Sequence, residues 1–414
     1  IKDFHGALWD SGPGEMLSAM MHMAGYAELS QVAHRAFFSN NVAYSLGPYP
    51  VGIWGGSSRW QSFMTDNHTP LELSWSWSEK QGNPAVRYSV EPIGWAAGTG
   101  FDPLNTRATV ELLAKTPLLA PTLDLSLYRH FLEALTVSAA AGQGRREDEL
   151  TNSDGALSQT FIAFDLREHD MVVKYYFMPT LKARILGESS LELVQGAIKG
   201  LPNVGSSYQA SLSALSDYIN SHDESERPVV EIVGIDCVDP SKSRIKIYVR
   251  SQKADFASML DAMTLGGRTT PLSEQARVGL AELWCAIFDL GSDTTVFRDP
   301  LPERKHRTAG LLYYLELKAG SPSPKAKVYL PVRHYARNDE QIARGLSDFL
   351  ARRGKGLVGR SYYDGVARLC KQRRLKEGLG FHTYVTCAVD GDGLAVTAYF
   401  NPVISQESQS RHVE

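Results

Sequence analysis

Residues 70–80 read PLELSWSWSEK, and the fold turns on which side of this strand meets water. Alternation puts Leu71, Leu73, Trp75 and Trp77 on one face and Glu72, Ser74, Ser76 and Ser78 on the other. In an ordinary antiparallel sheet one face packs and the other is wet, which would make Glu72 a surface residue.

The same division returns along the chain. AVRYSVEP (85–92) separates Arg87, Ser89 and Glu91 from its apolar side, and VVKYYFMP (172–179) separates Lys174, Tyr176 and Met178 from Val173, Tyr175 and Phe177. RIKIYVR (244–250) sets Arg244, Lys246, Tyr248 and Arg250 against Ile245, Ile247 and Val249. AKVYLPV (326–332) offers Lys327 and Tyr329, and LAVTAYFNP (394–402) offers Thr397 and Tyr399. Tyr176, Tyr248, Tyr329 and Tyr399 recur roughly 70–80 residues apart, which suggests a repeated unit of two helices and a strand hairpin.

The helices between these strands carry apolar stripes: a Met-rich stretch over 15–38; Leu127, Phe131 and Leu135 behind Asp124; Tyr208, Leu212, Leu215 and Ile219; Ile342, Leu346, Phe349 and Leu350 before Gly354. Such stripes need an apolar partner, and each strand offers one. If helices cover those faces, the polar faces line whatever the sheet encloses, as in a closed barrel wide enough for a ligand. An open sheet with its lysines and tyrosines in water remains the competing arrangement. Repetition of basic residues and tyrosines two apart, about 6.6 Å along a strand, suits an enclosed cluster that grips a multi-oxygen anion beneath an aromatic layer.

Bulk properties narrow the function. The chain has 414 residues, 43% hydrophobic and 21% charged, with a net charge of −3, so no global positive field draws nucleic acid or an acidic membrane. The basic runs ARRGK (351–355) and KQRRLK (371–376) lack interleaved aromatic platforms and read as solvated helix ends. Four scattered cysteines and no signal peptide or membrane-length apolar run indicate a reducing, cytoplasmic setting, although a chain starting at Ile1 leaves a trimmed leader open. No phosphate-binding glycine loop, zinc motif or Asp-Asp pair for magnesium appears, so a polyanion would be held by Arg and Lys. The eleven histidines form no cluster, and His334 and His382 read as hydrogen-bonded barrel or rim residues.

Taken in order, LGPYP, PLELSW, VRYSVEPIG, VKYYFMP, DPSKSRIKIYVR, PKAKVYLPVRHYARND, FHTYVTC and TAYFNP resemble the dimethylallyltryptophan synthase-type fungal aromatic prenyltransferases over nearly the whole chain. The resemblance implies an α+β fold: a ten-stranded antiparallel barrel with a solvent-filled core, ringed by helices and built from ααββ units. It implies one domain over 1–404, with a disordered tail at 405–414. By the same resemblance Glu72 and Lys174 are the catalytic residues, Glu72 taking up the acceptor's proton, and Lys174 also joins Arg87, Arg244, Lys246 and Lys327 on the donor diphosphate. Tyr176, Tyr248, Tyr329, Tyr384 and Tyr399 shield the prenyl cation, and Gly310 stands where a bulky residue limits donor length in relatives. Lys327 departs from the neutral polar residue usual there.

Tryptophan-using members carry an arginine where this chain has Glu231 and a lysine near Ala163, so free tryptophan is a doubtful acceptor. The resemblance therefore implies metal-independent transfer of a dimethylallyl, or geranyl or longer, group from its diphosphate to an indole or phenol. The expected partners are those two small molecules, with a homodimer compatible and neither nucleic acid nor membrane involved. A non-catalytic barrel that carries an anionic amphiphile is the alternative; it would leave Glu72 without a duty.

Overall fold

A computed structural model describes residues 2–50, 59–79, 82–138, 157–291, 297 and 299–404, with only the backbone of 356–358; the expected tail and the charged loop 142–155 lie outside these residues. Ten strands close into an antiparallel barrel in the order β1-β10-β9-β8-β7-β6-β5-β4-β3-β2. They are β1 (Leu71–Ser78), β2 (Ala85–Val90), β3 (Thr160–Leu166), β4 (Met171–Phe177), β5 (Val229–Asp236), β6 (Ile245–Ser251), β7 (Leu311–Leu317), β8 (Lys325–Leu330), β9 (His382–Asp390) and β10 (Gly393–Phe400). Helices precede every hairpin, Glu15–Met23 and Glu28–Phe37 before the first and Asp339–Arg352 and Gly356–Leu369 before the last, which is the expected repeat.

Local chemistry explains where helices begin. Ser189 and Glu192 form a reciprocal capping box ahead of Ser190–Lys199, and the side chains of Ser273 and Asn338 accept from backbone N–H groups at the starts of Glu274–Phe288 and Asp339–Arg352. The Met-rich stretch divides into two helices at Gly25, whose φ of 78° is the left-handed conformation that glycine adopts without a steric penalty.

Contacts group the chain into two compact units. The first comprises 1–73, 85–208 and 231–247; the second comprises 74–84, 209–230 and 248–414. In the first, Phe37 and Phe38 from the end of Glu28–Phe37 meet Phe164 and Tyr88 edge-on, each with ring centroids 5.6 Å apart. Helix Ser126–Leu135 places Tyr128 and Phe131 against Tyr175 and Phe177. In the second, Tyr362 of helix Gly356–Leu369 packs against both Trp75 and Trp77.

These contacts answer the question raised by β1. Leu71 and Leu73 are wholly buried, Trp75 and Trp77 lie under a helix, and Glu72 on the opposite face is half-buried. On β2 likewise Val86, Tyr88 and Val90 are buried while Arg87 and Ser89 keep partial exposure. Helices coat the apolar faces, and the polar faces turn to the barrel interior.

Candidate active site

Strand register builds a charged cluster in the first unit. Arg87 pairs across β2–β3 with Asp165, Ala163 pairs across β3–β4 with Lys174, and Lys174 pairs across β4–β5 with Asp236. Residues so opposed share a face within side-chain reach. Lys174 Nζ donates to Asp165 Oδ2, and Arg87 Nε lies 3.3 Å from Asp165 Oδ1. Arg244 Nε donates to Asp236 Oδ2 at 2.7 Å, and Lys246 Nζ reaches Asp236 Oδ1 at 3.3 Å. Four cations thus surround two carboxylates, an excess of positive charge suited to an anion.

Electrostatics in the cluster are strained. Burial opposes ionisation of Asp165, yet Arg87 and Lys174, with Lys246 beyond them, hold its carboxyl well below the usual range. Burial likewise opposes ionisation of Asp236, and Lys246, Lys174 and Arg244 outweigh it. Lys174 moves the other way: burial, with Lys246 and Arg87 beside it, pushes its ammonium down to about 8 against the support of Asp165 and Asp236. Its proton is therefore held at neutral pH and lost above about pH 8.

Aromatic rings gather in the second unit. Tyr329 lies at the centre, with ring centroids 5.7 Å from Tyr248, 5.9 Å from Tyr384 and 5.6 Å from Tyr399. Tyr314 joins it at 6.0 Å, and the Tyr329 and Tyr399 hydroxyls are 3.3 Å apart. Lys327 Nζ sits 5.4 Å from the Tyr329 ring centroid and 5.9 Å from that of Tyr314, and it donates to Thr397 Oγ1, which in turn bonds Ser76. Tyr176, in the first unit, stacks on Phe161 with centroids 4.3 Å apart.

Asp165, Asp236, Phe161 and Tyr314 escaped the sequence reading. Their signal was present, since Phe161, Ala163 and Asp165 alternate in TFIAFDL and Tyr314 alternates with Glu316 in LLYYLEL. What the sequence withheld was the register that sets Asp165 opposite Arg87 and Asp236 opposite Lys174. Glu91, read with Arg87 and Ser89, is a rim anchor: Trp60 Nε1, Ser62 Oγ, Ser158 Oγ and the Phe63 N–H all donate to it, and burial raises its carboxyl despite those bonds.

Gly310 has a backbone reason to be glycine. Its φ is 76°, and a Cβ there would fall 2.1 Å from the Ser251 carbonyl oxygen, so the position faces the end of β6. The histidines, scattered in sequence, are not all apart in space: folding brings the His306 and His334 rings to 4.8 Å, bridged through Thr308. His382 is a hydrogen-bonded core residue, between Asp339 at 2.9 Å and the Tyr362 hydroxyl at 3.0 Å.

A helix-ringed, ten-stranded antiparallel barrel with clustered cations on strands of one unit and clustered tyrosines on strands of the other defines a class of barrel protein. The sequence profile described as tryptophan dimethylallyltransferase matches residues 5–365, and the chain belongs to that family. It is 52% identical to 4-O-dimethylallyl-L-tyrosine synthase of Claviceps purpurea, over 99% of this chain and 90% of that protein. It is 30% identical to 7-dimethylallyltryptophan synthase of Aspergillus fumigatus, over 95% and 84%. The crystal structure of AnaPT from Neosartorya fischeri superposes with a TM-score of 0.79 at 25% identity, covering 94% of this chain and 92% of that one. The protein is an aromatic prenyltransferase, and nothing among these relatives supports the non-catalytic carrier. Among the described residues no helix is long and apolar enough to cross a membrane.

Proposed function

We propose that this chain transfers a dimethylallyl group from its diphosphate to the phenolic oxygen of L-tyrosine or a close phenolic analogue, without a metal ion. The cluster of Arg87, Lys174, Arg244 and Lys246 around Asp165 and Asp236 carries the reading, because it offers excess positive charge on barrel strands. Similarity to the tyrosine synthase supports the acceptor, as does Glu231 in place of the tryptophan-carboxylate arginine.

In this reading the allylic C–O bond breaks heterolytically and pyrophosphate leaves with the electron pair. Charge growing on the leaving oxygen strengthens the hydrogen bonds from Lys174, Lys246 and the two arginines, so these bonds stabilise the transition state more than the bound donor. Each charge-assisted bond contributes about 1.5–3 kcal/mol, and together they supply the positive charge that magnesium provides in D-D-x-x-D enzymes. Tyr176, Tyr248, Tyr329, Tyr384 and Tyr399, with Phe161 and Tyr314, present ring faces to the cation and exclude water. Lys327 contributes a further positive charge toward the diphosphate. The phenolic oxygen attacks the cation, forming the new C–O bond, and its proton passes to Glu72.

The test is incubation with dimethylallyl diphosphate, EDTA and either L-tyrosine or L-tryptophan, followed by mass spectrometry of the products. An O-dimethylallyl tyrosine formed in EDTA is expected. A tryptophan product formed in preference, or turnover that requires magnesium, would overturn the acceptor or the metal-free mechanism respectively.

A further inference from the structure

We infer that Asp165 and Asp236 are positioning residues for donor binding: they aim the four cations of the cluster and keep Lys174 protonated until the diphosphate arrives. The inference rests on the diphosphate role proposed above for those cations.

Lys174 is 7% exposed and belongs to a strand flanked on both sides by the cluster. From β2 it faces Arg87, from β3 Asp165, from β5 Asp236 and from β6 Lys246, with Arg244 tied to Asp236 just before β6. Like charges this close repel, and without the two aspartates the side chains would turn apart or the buried lysine would lose its proton. An ammonium carries three donors, so one bond to Asp165 fixes its direction and leaves capacity for a ligand oxygen. A bidentate carboxylate shared by two cations also sets their separation, as at Asp236 between Arg244 and Lys246. Neither aspartate needs to touch the donor; each acts through the cations that it holds.

The experiment measures affinity of the full-length protein for the unreactive analogue dimethylallyl thiolodiphosphate as a function of pH, which reads the cluster independently of Glu72. In the unaltered protein, Kd should weaken above about pH 8, as Lys174 deprotonates. In Asp165→Asn the weakening should begin roughly one pH unit lower, because a group that supports the ammonium has gone. Asp236→Asn should shift it in the same direction from the opposing strand, so either variant carries the test if the other fails to fold. Asp165→Glu should keep the original profile. Adding Lys174→Arg to Asp165→Asn should remove the shift, since a guanidinium does not titrate in this range. Unshifted profiles in the folded asparagine variants, or a shift that persists with Arg at 174, would overturn the inference. Should Lys174→Ala with Arg244→Ala leave affinity for the analogue unchanged, the diphosphate reading itself fails, which is a different result.

Discussion

In the proposed mechanism Glu72 takes up the acceptor's proton after the allylic bond breaks, so its loss should separate chemistry from donor binding. Glu72→Gln keeps the shape and removes the base; kcat should fall by about 10²–10⁴-fold with little change in donor Kd, measured by product formation and by titration with the thiolodiphosphate. Unchanged turnover would take Glu72 out of the mechanism. Lys174→Ala combined with Arg244→Ala should do the reverse and weaken donor binding. Arg244, with its side chain 41% exposed, is the smaller contributor of the two. At this scale the sequence was informative about cations and tyrosines, whose two-residue spacing marks one strand face. It was uninformative about Asp165 and Asp236, because an acid on a strand acquires meaning only from the residue opposite it.

Elements divide the same way. Alternation on β1, β2 and β4 foretold which face the helices cover, and the burial of Leu71, Leu73, Val86 and Val90, with Tyr128 and Phe131 packed on Tyr175 and Phe177, agrees. Helix ends were less legible: among the described residues the helix expected behind Asp124 runs from Ser126 to Leu135, with Asp124 accepting from the Ser126 N–H just ahead of it. How closely helices approach one another could not be read at all. Gly345 of Asp339–Arg352 lies so near Glu274–Phe288 that a Cβ would fall 1.9 Å from the Ala286 carbonyl oxygen. Because that neighbour is backbone, it cannot swing aside. Gly345→Ala should therefore destabilise the protein by about 1–3 kcal/mol, although alanine favours a helix by about 1 kcal/mol. Denaturant unfolding compared between the two proteins decides it, and equal or greater stability of the alanine variant would mean that the helices cross less closely.

At the scale of the whole molecule, a net charge of −3 coexists with a local surplus of cations. The two aspartates within it are held ionised by those cations. Their pKa values are lowered by folding, so at low pH the unfolded chain binds more protons than the native one. Their contribution is present above the ordinary aspartate pKa of about 3.9 and is lost as pH falls through the lowered values. Stability from denaturant titrations should decline as pH drops below about 4, and Asp236→Asn should flatten that decline; an equally steep decline in the variant would remove Asp236 from the balance. Lys174 follows the same rule in another window: its pKa too is lowered, so between about 8 and its unfolded value the unfolded chain holds a proton that the native one releases, and its contribution also rises with pH.

If the polar faces of the barrel strands hold the donor through the cation cluster, as proposed, a crystal structure with dimethylallyl thiolodiphosphate will show it. Diphosphate oxygens are expected within hydrogen-bonding distance of Lys174 and Lys246, on the face of β4 and β6 opposite Tyr175 and Ile247. A diphosphate bound away from both lysines, with the cluster around Asp165 and Asp236 unchanged, would contradict it.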